Sequence, residues 1–581
     1  MTTASTPQLD FSNLKPYKAR KFIPTGTNFD HLEDVVKLFQ QILTYEINTP
    51  KDFQLWLENR SELEAAIDQH GAILYIRMTC QTDDKARAEA YKNFIEKIVP
   101  AIKPIEDKIN RKLLEESKRF SLDQDRYHVY LRGVENDVKL FVQENVELQT
   151  KVSLLSQEYQ TICAAMTVQF QGEEKTLPQM SKFLLEPDRA LREEAWRATS
   201  KRRLEDQAKL DDIFDKMVKL RHQTAINAKC ANFCEYKFKS MHRFDYTPGD
   251  CKTYHQTIEK IVLPIWTKIL KRRKEQMKLD TLKPWDSAVD PLGRPPLKPF
   301  DQVAQLISGC REIFTHVDPE LGQAFQHMMD LGVLDLASRK GKAPGGYQST
   351  LNEARKPFIF MNAVGVHGDV STLLHEGGHA FHALACAHDP LVDYRHAPME
   401  FCEVASMAME LLGGHYLSAF YNDDEQKRAI QSHLEDIVYI LIWVATIDAF
   451  QHWIYENPEH TAEQRVRAWL DVRKRFDSDL VSWEGLTQEH SYLWHRQLHI
   501  FEVPFYYIEY GIAQLGALGV WFNAKKNWKE GVKKYRDALA LGGSKPLPVL
   551  FETAGIRFDF SEKTIAPLME AVEKELSAMY E

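Results

Sequence analysis

The sequence predicts a mainly α-helical protein with small β elements close to its chemistry. From Phe29 to about Arg119, apolar residues recur at helical spacing through FDHLEDVVKLFQQIL, DFQLWLENRSELEAAIDQ and KARAEAYKNFIEKIVPAIKPIEDKINRKLLEES. The same periodicity returns over 137–165 and 185–228, the latter with acids and bases interleaved on a solvated face. Strand signals are few. Thr167–Phe170 and Lys175–Leu177 flank a Gly-containing turn and read as a hairpin, and Lys356–Asn362 reads as a lone strand.

Residues 1–28 lack periodicity and carry three prolines, giving an irregular lead-in. A helical region over 29–200 and a chemical region over 201–581 follow. Pro100 and Pro104 should kink or break the long third helix. Pro284, Pro291, Pro295, Pro296 and Pro299 mark a structured loop or crossing. There is no internal repeat and no low-complexity tract.

Composition narrows the function classes. The chain has 581 residues, 44% hydrophobic and 27% charged, as in an ordinary globular protein. Its formal charge of −9 argues against a general nucleic-acid-binding surface. Eight scattered cysteines do not form a disulfide framework; Cys230 and Cys234, the one close pair, read as buried thiols. Reduced thiols and an N-terminus without an apolar signal segment fit the cytoplasm. The most apolar run, Ile437–Ile447, is flanked by Asp436 and Asp448 and is too short to span a bilayer, so no membrane partner is expected.

The chemistry concentrates in His375-Glu376-Gly377-Gly378-His379. Two histidines four apart on a helix are offset by about 40° around its axis, so both rings leave one face and can grip one metal ion. Glu376 projects about 100° away, near enough to act on a metal ligand without coordinating. This is the physical content of HExxH: two zinc ligands and a general base. Asp369 or Ser371 can cap the helix and Asp389-Pro390 can end it. Two mid-helix glycines cost about 1 kcal/mol each against alanine, which makes sense where a backbone or ligand approaches closely.

A catalytic zinc needs a third protein ligand. Pro398 to Gly414 is the next helix, with Glu400, Glu403 and Glu410 among Phe401, Val404, Met407 and Leu411. Carboxylates in so apolar a setting are costly unless paired or metal-bound. Glu403 is the candidate ligand and Glu410 a candidate acceptor for a histidine N–H, with Glu400 also open. The strand Lys356–Asn362 could pair an extended peptide if it lies at a sheet edge, and Ala343–Tyr347 could move over a ligand.

HEGGHAFH (375–382) followed by EVASMAME (403–410) resembles the thimet oligopeptidase and oligoendopeptidase F family of zinc peptidases. The resemblance implies one zinc per chain held by His375, His379 and Glu403, with Glu376 as the catalytic base and Glu410 behind the ligands. GGYQSTL…PFIFMNAVG resembles the family's glycine-rich loop and substrate-pairing edge strand. His499-IFEVPFYYIEYGIAQLGALGVW resembles the oligoendopeptidase F branch, in which a histidine and two tyrosines face the scissile carbonyl. His499, Tyr507 and Tyr510 are the matching positions, with Tyr506 the alternative to Tyr507.

The family implies a two-lobed helical zincin-type metallopeptidase with a deep substrate channel, hydrolysing internal bonds of short oligopeptides. A zinc carboxypeptidase or dipeptidase, and a peptide-binding protein with a vestigial metal site, are the rival readings. The oligomeric state is not legible.

Overall fold

A computed structural model describes Phe11 and residues 14–580; the first part of the 1–28 lead-in lies outside them. Among the described residues helices dominate, at 70%, with two small sheets. The sequence expectation of a mainly α protein holds.

The hairpin forms as β1 (Thr167–Phe170) and β2 (Glu173–Thr176), antiparallel, with Gln171 and Gly172 both at positive φ in the turn. The expected break near Pro100 does not occur. Helix Lys85–Asn93 passes through a wide turn, Phe94–Ile98, into helix Val99–Phe120. Pro100 cannot donate, and in the wide turn the Val99 N–H bonds instead to the Phe94 carbonyl, five residues back. The same device, Ile258–Val262, precedes Pro264.

Backbone packing divides the chain into two compact units that are interleaved in sequence, whereas 29–200 and 201–581 are continuous stretches. The first comprises Met1–Lys139, Leu297–Ala429 and Ala513–Phe558. Its N-terminal core joins Val35, Phe39, Ile42, Trp56, Ile105 and Ile109 from three helices. The buried Trp56 indole N–H donates to the Ile42 carbonyl at 2.8 Å.

This unit also holds a three-stranded sheet of β3 (Leu334–Ala337), β4 (Tyr347–Leu351) and β5 (Lys356–Ala363) in the order β3-β5-β4. β5, the strand read from Lys356–Asn362, is central, with β3 parallel on one side and β4 antiparallel on the other. It pairs with β4 over 356–360 and with β3 over 359–363, so it is not the edge strand of this sheet. The edges are β3 and β4, and β4 is half-buried where β5 is almost wholly buried. A run of buried apolar residues marks the interior strand.

The second unit comprises Leu140–Pro296, Ile430–Ile512 and Asp559–Glu581. Helices Glu144–Ala164 and Gln207–Asn227 pack together, and Tyr159 stacks on Phe501 with ring centres 4.1 Å apart. Arg192 is buried with Asp286 at 2.9 Å. The apolar run Ile437–Ile447 lies within the long helix Asp423–Glu456 and is almost entirely buried, as expected for a core helix.

Candidate functional site

The HEGGH motif lies on helix His367–Ala385. Asp369 secures its start: Oδ2 accepts the backbone N–H groups of Val364, Gly365 and Val366 at 2.8, 2.8 and 3.0 Å. The helix ends at Ala385, short of the predicted stop at Asp389-Pro390. Asp389 is engaged elsewhere, accepting from the Leu391 N–H at 2.9 Å and pairing with Arg126 at 2.6 Å, so it anchors the following turn.

The paired glycines mark the crossing with the next helix, Met399–Gly413. A Cβ at Gly378 would stand 2.5 Å from the Ala405 carbonyl oxygen and 2.6 Å from Ser406 Cα, so only glycine lets these backbones meet. A Cβ at Gly377 would strike the Phe314 ring at 2.5 Å. Close approach of backbone, as the sequence suggested, accounts for Gly378.

That crossing brings the predicted metal ligands together. His375 Nε2 and His379 Nε2 lie 3.4 and 3.6 Å from one atom, Glu403 Oε2, and the three donor atoms fall within 4.8 Å of one another. Behind them, Glu410 Oε1 sits 2.7 Å from His375 Nδ1. A proton held on Nδ1 by Glu410 leaves Nε2 presenting its lone pair to Glu403. A bound cation, or a proton on Nε2 where none is bound, then bridges His375 to Glu403. Two imidazoles and a carboxylate are a donor set of catalytic zinc, so the residues fit the metal. Ser406 Oγ, 3.0 Å from Glu403 Oε2, holds the carboxylate. Glu400 is buried but outside the converging set.

Glu376 is buried beside this set. Burial pushes its carboxyl up to about 7; His375 opposes the rise, Glu403 adds to it, and the Gln348 N–H of β4 bonds to the carboxylate. His382, one helical turn on, packs edge-on against Phe401, and burial lowers it to about 3.

In the second unit, His499, Tyr507 and Tyr510 also come together. The His499 ring centre lies 4.8 Å from Tyr507, 6.0 Å from Tyr510 and 6.1 Å from Tyr506. Tyr507 is the more buried of the adjacent pair, and burial pushes its hydroxyl up to about 12. Burial lowers His499 to about 4. The bend before Tyr507 places Phe505 at φ 65°, with its N–H bonded to Gln451 Oε1 at 2.8 Å and its carbonyl to Arg243 at 2.7 Å.

Sequence comparisons bear on these clusters. The pattern of Peptidase family M3 matches residues 183–570, and that of the Peptidase M3 N-terminal domain matches 28–141. The chain belongs to peptidase family M3. It is therefore a peptidase. The M3 chain is 27% identical over 271 residues to oligopeptidase PepF of Bacillus subtilis strain 168, covering 45% of this chain and 39% of that protein. It is 24% identical over 310 residues to an oligoendopeptidase F homolog of Borreliella burgdorferi, covering 51% and 50%. Half or less of each of these relatives is thus spanned. The solved structure of PZ peptidase A with an inhibitor superposes with a TM-score of 0.87 at 29% identity, covering 96% of this chain and 99% of that one.

Two residues of the M3 peptidase have no signal in its motifs. The Trp443 indole N–H, which can only donate, bonds to Gln497 Oε1 at 3.0 Å. The Gln497 amide nitrogen then faces His499 Nδ1 at 2.7 Å and must be the donor. This fixes the imidazole proton on His499 Nε2, which becomes a donor. Gln497 stands two residues before His499, but Trp443 is on another helix, so only the tertiary structure joins them.

Proposed function

We propose that this M3 peptidase is a zinc-dependent endopeptidase acting on short oligopeptides. The observation that carries the reading is the convergence of His375 Nε2, His379 Nε2 and Glu403 Oε2 beside the buried Glu376. His375, His379 and Glu403 would hold one zinc ion. When bound, zinc supplies Lewis-acid polarisation of a carbonyl and acidifies water. Glu376 takes the proton of the attacking water and returns it to the leaving amine. Its raised affinity for protons in the buried site suits both halves of that transfer. The unpaired edge of β4, whose Gln348 N–H already reaches Glu376, offers main-chain pairing to an extended peptide.

His499, Tyr507 and Tyr510 are assigned to stabilise the developing oxyanion. The resemblance to the oligoendopeptidase F branch supports this, as do the donor state of His499 Nε2 and the raised pKa of the buried Tyr507 hydroxyl. None of the eight cysteines is in a disulfide, which suits a reducing compartment such as the cytoplasm.

A quenched fluorescent peptide blocked at both termini tests the reading. Cleavage at an internal bond, abolished by a chelator and restored by zinc, is expected. Loss of cleavage on blocking the C-terminus would point to a carboxypeptidase, and chelator-resistant cleavage would refute the metal.

A further inference from the structure

A second group of potential ligands lies in the other unit, among residues to which the peptidase chemistry gives no task. Helix Pro248–Thr257 carries Cys251 and His255, four residues apart on one face. Helix Asp423–Glu456 carries Asp448 and His452 at the same spacing. Cys251 Sγ, a carboxylate oxygen of Asp448 and a ring nitrogen of His452 lie within 4.8 Å of one another. All three residues are buried, at 1%, 0% and 2% exposure.

Two atoms of this group lack a partner among the described residues. Asp448 Oδ1 accepts no hydrogen bond. His452 Nε2 is 3.3 Å from Asp448 Oδ2 but makes no hydrogen bond there. Orphaned polar atoms in a core cost about 1–3 kcal/mol each unless something satisfies them. The other ends are held: His255 Nε2 lies 2.8 Å from Asp448 Oδ2, and Cys234 Sγ lies 3.7 Å from His452 Nδ1. These contacts orient the carboxylate and the imidazole as outer partners orient metal ligands.

Charge points the same way. Two arginines of this unit are committed to other acids, Arg243 to Glu509 at 2.7 Å and Arg475 to Glu259 at 2.7 Å. The buried Asp448 carboxylate is faced instead by the His255 and His452 rings, at 2.8 and 3.3 Å. A thiolate and a carboxylate together balance a divalent ion, and thiolate, imidazole and carboxylate are zinc donors.

We infer that Cys251, Asp448 and His452 form a second, structural zinc site that ties helix Pro248–Thr257 to helix Asp423–Glu456. His255, with its ring 5.8 Å from that of His452, holds the Asp448 carboxylate from outside the ligand set. The site uses no part of the HEGGH cluster, so the two can fail independently.

The test is the zinc content of the full-length, tag-free protein. The wild type should hold two zinc ions per chain and the His375→Ala/His379→Ala protein one. That variant leaves the buried group untouched, so folding at the second site is not at issue. Cobalt exchanged into it should show thiolate-to-metal charge-transfer absorption, lost together with the last metal on adding Cys251→Ser. A folded His375→Ala/His379→Ala protein with no bound zinc, or cobalt bound without the thiolate band, would overturn the site.

Discussion

Gly378→Ala isolates the role of the helix crossing. Ordinary contact for the new Cβ is 3.4 Å, against 2.5 Å to the Ala405 carbonyl oxygen, so the two helices must part by about 1 Å. Alanine recovers about 1 kcal/mol of helix propensity. Overpacking costs about 1–3 kcal/mol, leaving a net stability loss of about 0–2 kcal/mol. The site is far less tolerant: the displaced segment carries Glu403, and a misplacement of about 1 Å costs about 100-fold in rate. The assay pairs kcat/KM on a quenched peptide and zinc affinity by chelator competition with a thermal melt. Function should fall far more than stability. Gly368→Ala, on the same helix with nothing within 4 Å of its Cβ, should remain near wild type. Wild-type zinc affinity and kcat/KM in Gly378→Ala would refute the argument that this crossing sets the ligand geometry.

Four further outcomes are expected. Glu376→Gln should keep its zinc by metal analysis while peptidase kcat falls at least about 100-fold; near-normal turnover would remove Glu376 as the base. Glu403→Ala should lose the HEGGH-site zinc on dialysis, and unchanged zinc content would move the third ligand to Glu400 or Glu410. Tyr510→Phe should lower kcat by about 100-fold or more with little change in KM; an unaltered kcat would return this ring to a packing role. His499 titrates near 4 in the folded chain against about 6.5 when unfolded, so the unfolded state binds the extra proton between those values. Its contribution is then complete above about pH 6.5 and is lost as pH falls toward 4. His499→Gln should reduce the drop in Tm over that interval; an identical drop would exclude the residue as its source.

Local pattern made the helices, the hairpin and the HEGGH face legible, because each depends on spacing within a few residues. Gly377-Gly378 were legible as a close approach, but not that Phe314 meets one and the Ala405–Ser406 backbone the other. Three acids competed in Met399–Gly413, and spacing alone left Glu400, Glu403 and Glu410 open. The crossing angle brings Glu403 to the histidines and Glu410 to the rear of His375. Whether Lys356–Asn362 lay at a sheet edge was left open by its sequence, because the pairing of β5 depends on neighbours that lie elsewhere in the chain. Pro100 and Pro104 left kink and break both open, because the wide turn that absorbs Pro100 has no sequence mark of its own. Cys251-His255 and Asp448-His452 are each unremarkable pairs, and their meeting is a property of the fold.

Under the proposed function one cation is shared by the HEGGH helix and its neighbour. Anomalous diffraction at the zinc edge from crystals of the active, zinc-loaded protein tests this most directly. The predicted result is a peak bounded by His375 Nε2, His379 Nε2 and a Glu403 carboxylate oxygen. Active protein with no peak between those three side chains would contradict it.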